Sequence, residues 1–215
     1  TIGNSVTSIG SSTFRKSKIK SVIIPDSVTN MGNSVFRDCR SLESIIIPDS
    51  VTSIGSGAFE NCILLESVTL GNNITTINSY TFKNCNILSS IEFGTSLESI
   101  QTEAFSRCFK LESITIPDSV TSIGDSIFET CISLTSVIIP DSITTIEVDM
   151  FRDCRSLESI TIPDSVTSIN SSAFYDCKSL TSITMGISLE IIQGSAFRQC
   201  TALTSVTIPN NVKSI

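Results

Sequence analysis

The stretch FRDCRSLESIIIPDSVTSIGSGA, residues 36–58, returns as FRDCRSLESITIPDSVTSINSSA at residues 151–173. From Phe36 to Val51 and from Phe151 to Val166, the copies differ only at Ile46 and Thr161. They lie five 23-residue steps apart, and a looser version of the same unit fills the space around them. Its mark is a phenylalanine: Phe14, Phe36, Phe59, Phe82, Phe105, Phe128, Phe151, Phe174 and Phe197. The first step is 22 residues and the other seven are 23. A cysteine follows three residues after each Phe from Phe36 onward, which accounts for all eight cysteines of the chain. A fixed period of this length marks a solenoid, in which each unit is one coil of a stack. Such a chain is expected to be a single array of about nine coils over residues 1–215.

Two spacings lie inside the unit. The segment L-x-S-I-x-I alternates apolar and polar residues, as at Ile45 and Ile47 or Ile114 and Ile116. That period of two predicts a short strand with one buried face, paired in parallel with its neighbours. The segment around Phe and Cys has apolar residues at offsets of three and four, as at Ala58, Phe59 and Cys62. This predicts a short helical or 3₁₀ turn, with Ser56 as its N-cap. A third segment, S-V-T-S-I-G, predicts a second short extended stretch. Pro25, Pro48, Pro117, Pro140, Pro163 and Pro209 share one column after the strand, and Gly71, Gly94 and Gly186 fill it elsewhere. Both residue types end a strand and open a turn, the first by fixing φ and the second by freeing it.

Composition narrows function. Apolar residues make up 40% of the chain and charged residues 16%, enough for a continuous core. The net charge of −7 disfavours nucleic acid, since phosphate binding needs clustered cations. No apolar run approaches the ~20 residues of a membrane-spanning helix, so membrane insertion is not expected. Both ends of the sequence read as repeat without caps, and the expectation is a segment of a longer protein. The chain has no histidine, which removes the commonest general base and every Ser-His or Cys-His pair. Its carboxylates follow repeat columns, as Glu43, Glu66, Glu112 and Glu158 do, instead of forming a local constellation. No phosphate loop, metal motif or cofactor motif is present, and no enzyme activity is expected.

The cysteine ladder admits three readings. Zinc sites favour closely spaced pairs, whereas each cysteine here stands alone in its coil. Disulfides between coils meet parallel Cβ vectors that do not converge. Buried reduced thiols packing as small apolar groups fit the pattern best.

The pattern L-x-x-I-x-I, followed by I-P-D-S-V-T-S-I-G, then A-F, then C and L, resembles the BspA-like leucine-rich repeats. The position of the usual Asn ladder carries Ser50, Ser119 or Ser165, and the first unit has Ser17 in place of Cys. The resemblance implies a leucine-rich-repeat solenoid, a right-handed coil with a parallel β-sheet on one side and short helical or 3₁₀ turns on the other. It also implies a secreted or cell-surface protein engaged in adhesion or recognition of a protein or glycan. A self-assembling structural repeat protein and an intracellular interaction scaffold are the alternatives.

Two surfaces are the candidates for ligand contact. One is the outward strand column beside an unbroken serine column, namely Thr69, Glu92, Thr115, Ile138 and Thr161. The other is the loop after each cysteine, where Ile63, Leu64, Ile87, Phe109 and Ile132 form an apolar stripe in the central units. Lys18, Arg40, Arg155 and Lys178 hold the first position of that loop in the outer units. If the loop is exposed, the stripe is a contact surface.

Overall fold

The computed structural model describes residues 1–215. It is a parallel β-solenoid whose coils repeat the sequence period. Two rows of short strands run along the stack. The first row has three-residue strands: β3 (Ser44–Ile46), β5 (Ser67–Thr69), β7 (Ser90–Glu92), β9 (Ser113–Thr115), β11 (Ser136–Ile138), β13 (Ser159–Thr161) and β15 (Ser182–Thr184). The second has two-residue strands: β1 (Ser8–Ile9), β2 (Asn30–Met31), β4 (Ser53–Ile54), β6 (Thr76–Ile77), β8 (Ser99–Ile100), β10 (Ser122–Ile123), β12 (Thr145–Ile146), β14 (Ser168–Ile169) and β16 (Ile191–Ile192). Pairing is parallel and in register, so Ser44 faces Ser67 and Ser67 faces Ser90. The central residue of each three-residue strand points inward and its neighbours point out, as the alternation predicts.

The turns between the two rows differ from the sequence expectation. The structure contains no helix and no 3₁₀ segment. In every coil the residues two before and two after the Phe have φ between +53° and +63°, as at Tyr80 and Asn84 around Phe82. Residues of opposite hand therefore alternate, and amide groups alternate in direction. The N–H groups of Tyr80, Phe82 and Asn84 donate to Thr102, Ala104 and Ser106 of the next coil. Those of Lys83 and Cys85 close turns within their own coil, onto Tyr80 and Phe82. All eight inter-coil steps repeat this arrangement with N···O distances of 2.7–3.2 Å. A helix would spend the same amides inside its own coil and leave the coils unjoined. Ser56 is accordingly not an N-cap; its carbonyl accepts the Ser34 N–H.

The core is one continuous cluster of buried apolar side chains. Along its axis the phenylalanine rings stack with centroids 5.2–5.9 Å apart and planes within 5–22° of parallel. All eight cysteines are buried thiols. Each Sγ donates to the carbonyl of the Phe in the preceding coil, from Cys39 on Phe14 at 3.0 Å to Cys200 on Phe174 at 3.0 Å. The Pro and Gly column opens a turn closed by an N–H three residues on, such as Val51 on Pro48 and Ile74 on Gly71. At Gly71 and Gly94 the coils approach so closely that a Cβ would collide with the carbonyl oxygens of Pro48 and Gly71. The serine ladder replaces an asparagine ladder: Ser119 and Ser165 donate to Leu97 and Ile143 at 2.6 Å, while buried Ser50 Oγ has no partner.

Candidate functional site

The three-residue strands present a flat outer face. Its serine column, Ser44 through Ser205, is exposed throughout. Beside it stands the variable column. Glu92, Thr115, Ile138 and Thr161 are exposed and Thr69 is half-buried, its hydroxyl donating to Glu92 at 3.2 Å. Ile138 is 61% exposed, and Ile46 at the same position is 70% exposed. An isoleucine in this column leaves most of its side chain in solvent, although its backbone pairs in register. Ile46, Thr69 and Glu92 lie side by side on β3, β5 and β7, and Thr115 lies beside Ile138 on β9 and β11.

The strand ladder is interrupted twice, between β7 and β9 and between β11 and β13. The first gap has a physical cause. Phe93 occupies a column that carries Ile47, Leu70, Ile116 and Ile139 in other coils. A benzyl group is too wide for that aliphatic slot, and the ring turns edge-on to Phe105, with centroids 6.2 Å apart and planes at 83°. Ile91 and Phe93 are left half-buried where their neighbours are buried. A depression of about 280 Å³ opens between Ser90, Ile91 and Phe93 on one side and Ser113, Ile114 and Thr115 on the other. Thr115 lines it, and Glu92 lies between the lining residues Ile91 and Phe93 on the outer face. The sequence contained the signal, an aromatic residue in an aliphatic column, but the expected site did not include the gap.

A second feature missed from sequence is Ile23, 66% exposed, which shares a depression of about 330 Å³ with Ile46. Ile23 stands one period before Ile46, in the unit whose degraded pattern hid the alignment.

The loop after the cysteines lies at the surface. Leu64 is 44% and Ile132 40% exposed, and Ile63, Ile87 and Phe109 are half-buried. The stripe is thus partly available instead of folded beneath the loop. In the later coils the cations of this loop meet acids. Arg155 bonds Asp153 at 2.8 Å and Asp176 of the next coil at 3.0 Å, and Lys178 lies 3.4 Å from Asp176. Burial alone would raise the Asp153 carboxyl, but the hydrogen bond from Arg155 and the nearby positive charge hold it below the ordinary aspartate range. Burial governs most of the cysteine ladder, while a hydrogen bond with Cys177 holds the Cys200 thiol below the ordinary range. Burial pushes the thiols of Cys62, Cys85, Cys108 and Cys154 upward, and that of Cys131 to about 12.

Comparison with known proteins agrees with this architecture. A family model described as a BspA type leucine rich repeat region, in six copies, matches residues 7–135 and 121–215. A leucine-rich repeat protein from Bacteroides ovatus is similar in structure, with a TM-score of 0.60 and 28% identity over 86% of this chain and 71% of that one. The leucine rich repeat protein of T. pallidum gives a TM-score of 0.70 and 28% identity over 76% of this chain and 78% of its own. A leucine-rich repeat protein from Eubacterium ventriosum shares the fold at 22% identity, with a TM-score of 0.65 over 97% of this chain and 72% of that one. A search of curated proteins returned no match.

Proposed function

The chain belongs to the BspA-type leucine-rich repeat family, and from that premise we propose that it is a non-enzymatic recognition scaffold, displayed at a cell surface or secreted, that holds a protein or glycan ligand against its three-residue-strand face. The observation that carries the reading is the variable column. Backbone register is kept within each run of paired strands, β3 to β7, β9 to β11 and β13 to β15, while the outward residue changes from Ile46 to Glu92 to Ile138. A purely structural column has no need of exposed isoleucines, which gain about 1.5–3 kcal/mol each when a partner buries them. The gap at Glu92 and Thr115 gives the otherwise flat face a shaped feature, and shape is what a ligand site requires. The non-enzymatic reading is supported by the lack of histidine and by thiols sealed in the core. No helix is long and apolar enough to cross a membrane.

An array of glycans and extracellular-matrix proteins, probed with the native chain and with Thr115→Arg and Ile63→Arg, tests the reading. Loss of a bound spot with Thr115→Arg and its retention with Ile63→Arg is the expected result. The opposite pattern would move the site to the post-cysteine loop. Binding insensitive to both changes, or no binding at all, would overturn it.

A further inference from the structure

The repeat supplies its own control for reading surface charge. The string FRDCRSLES occurs at residues 36–44 and again at residues 151–159. In the second copy Arg155 is neutralised by Asp153 and by Asp176 of the following coil. In the first copy the position equivalent to Asp176 is Asn61, and no carboxylate lies within 4 Å of Arg40. Asp38 instead accepts from Asn61 at 2.9 Å and lies 3.6 Å from Arg15. Identical local sequence therefore gives a paired arginine in one place and an unpaired one in the other.

The coil before it widens the difference. The column that holds Asp38, Asp153 and Asp176 carries Lys16 there. The column that holds Glu43, Glu66, Glu112 and Glu158 begins with Lys20. Lys18 stacks above Arg40 in the post-cysteine column, and Lys16, Lys18 and Lys20 all lack a carboxylate partner. Residues 1–42 hold six Lys or Arg against two Asp, while residues 43–215 hold eight against nineteen Asp or Glu. Lys16, Lys18 and Arg40, with Ser17, Asp38 and Ser41, line a depression of about 360 Å³ that has no apolar side chain in its wall. That volume falls at the small end of ligand sites.

We infer that this depression binds a short sulfated glycan, with Lys16, Lys18 and Arg40 holding sulfate groups and Ser17 and Ser41 meeting sugar hydroxyls. No hydrophobic residue lines the wall; charged groups tip the aliphatic stems of Lys16, Lys18 and Arg40 beside serine hydroxyls, which suits a sugar chain with its mixed polar and C–H faces. No aromatic ring lines the depression for a nucleic-acid base to stack on. The acidic coils beyond repel any long polyanion, so the bound segment is short. Arg40 presents a planar fork to an oxyanion, and the lysines supply point charges. The site lies at the basic end of the post-cysteine loop, apart from the strand face, and stands independently of the ligand proposed there.

Calorimetric titration of the full chain with a heparin-derived hexasaccharide tests the inference. Binding is expected to weaken steeply as salt rises. Lys18→Ser with Arg40→Ser is expected to weaken it at least tenfold, and Arg155→Ser with Lys178→Ser to leave it within about twofold, since those cations already have partners. Asn61→Asp, which recreates beside Arg40 the carboxylate of the later copy, is expected to weaken binding severalfold without altering the fold. No saturable binding up to about 1 mM at low salt would overturn the site. Equal binding of a desulfated hexasaccharide would do the same, as would tighter binding of polyphosphate than of the sulfated sugar.

Discussion

Each cysteine thiol donates to a phenylalanine carbonyl one coil back, and that carbonyl also accepts the N–H three residues on in its own coil, from a cysteine everywhere but at Ser17. The position asks for a small apolar side chain with a single donor, and Cys meets that demand. Cys131→Ala is expected to cost about 1–2 kcal/mol, from the lost donor and a small void. The same residue makes stability depend on pH in the alkaline range. An unfolded thiol titrates near 8.5, whereas that of Cys131 is pushed to about 12 in the fold. Between those values the unfolded chain binds fewer protons than the native one, so stability falls as pH rises. Chemical denaturation from pH 8.5 to 10.5 under reducing conditions is expected to show about 2 kcal/mol less loss over the whole range for Cys131→Ala than for the native chain. A thiol-reactive dye should label the folded protein slowly at all eight positions; rapid labelling of most of them would mean that the ladder is open. Phe128, fully buried between Phe105 and Phe151, is expected to cost about 3–5 kcal/mol when cut to Ala, read from urea unfolding.

The Phe-to-Cys turn shows where sequence reading reached its limit. The strands were legible because alternation at Ile45 and Ile47 has one structural meaning. Offsets of three and four at Ala58, Phe59 and Cys62 have two, since a turn with alternating hand also brings those residues to one side. A clue lay in the second residue after each Phe, which is Asp38, Asn61, Asn84, Asp153 or Asp176 in five coils. Asp and Asn tolerate positive φ better than other residues with a side chain. Lys16, Arg107, Thr130 and Gln199 obscure the signal in the other four coils, where hydrogen bonds to or from the adjoining coil impose the geometry. Thr130, β-branched at φ +60°, is the most strained of these. Thr130→Gly is expected to raise stability by about 0.5–1 kcal/mol, measurable as a higher melting temperature. Gly94→Ala should act the other way by about 1–3 kcal/mol, because its Cβ meets backbone that cannot yield. The strand-face candidates were legible as an outward column kept in register, yet the gap beside Glu92 and Thr115 was not. It arises from the volume of a single residue, Phe93, and period alone carries no information about volume.

At the scale of the molecule, every coil contacts only its neighbours, and stability is close to a sum over coils and the interfaces between them. Deleting residues 128–150 removes one whole unit and rejoins the columns in register. The shortened chain is expected to keep the same circular-dichroism spectrum, with a denaturant slope lower by roughly one coil's share of buried surface. Deleting half that length would bring Phe into a column meant for another residue and is expected to abolish the fold. The alternating turns carry one more consequence. Their three coil-to-coil amides per unit all point the same way, N–H toward the C-terminal side and carbonyl toward the N-terminal side. Peptide dipoles so aligned add up along the stack as they do along a helix. The turn edge is thus an electrically polar strip with unlike ends set by its backbone, and the second strand row runs against it, Thr52 and Gly55 donating back to Thr29 and Met31.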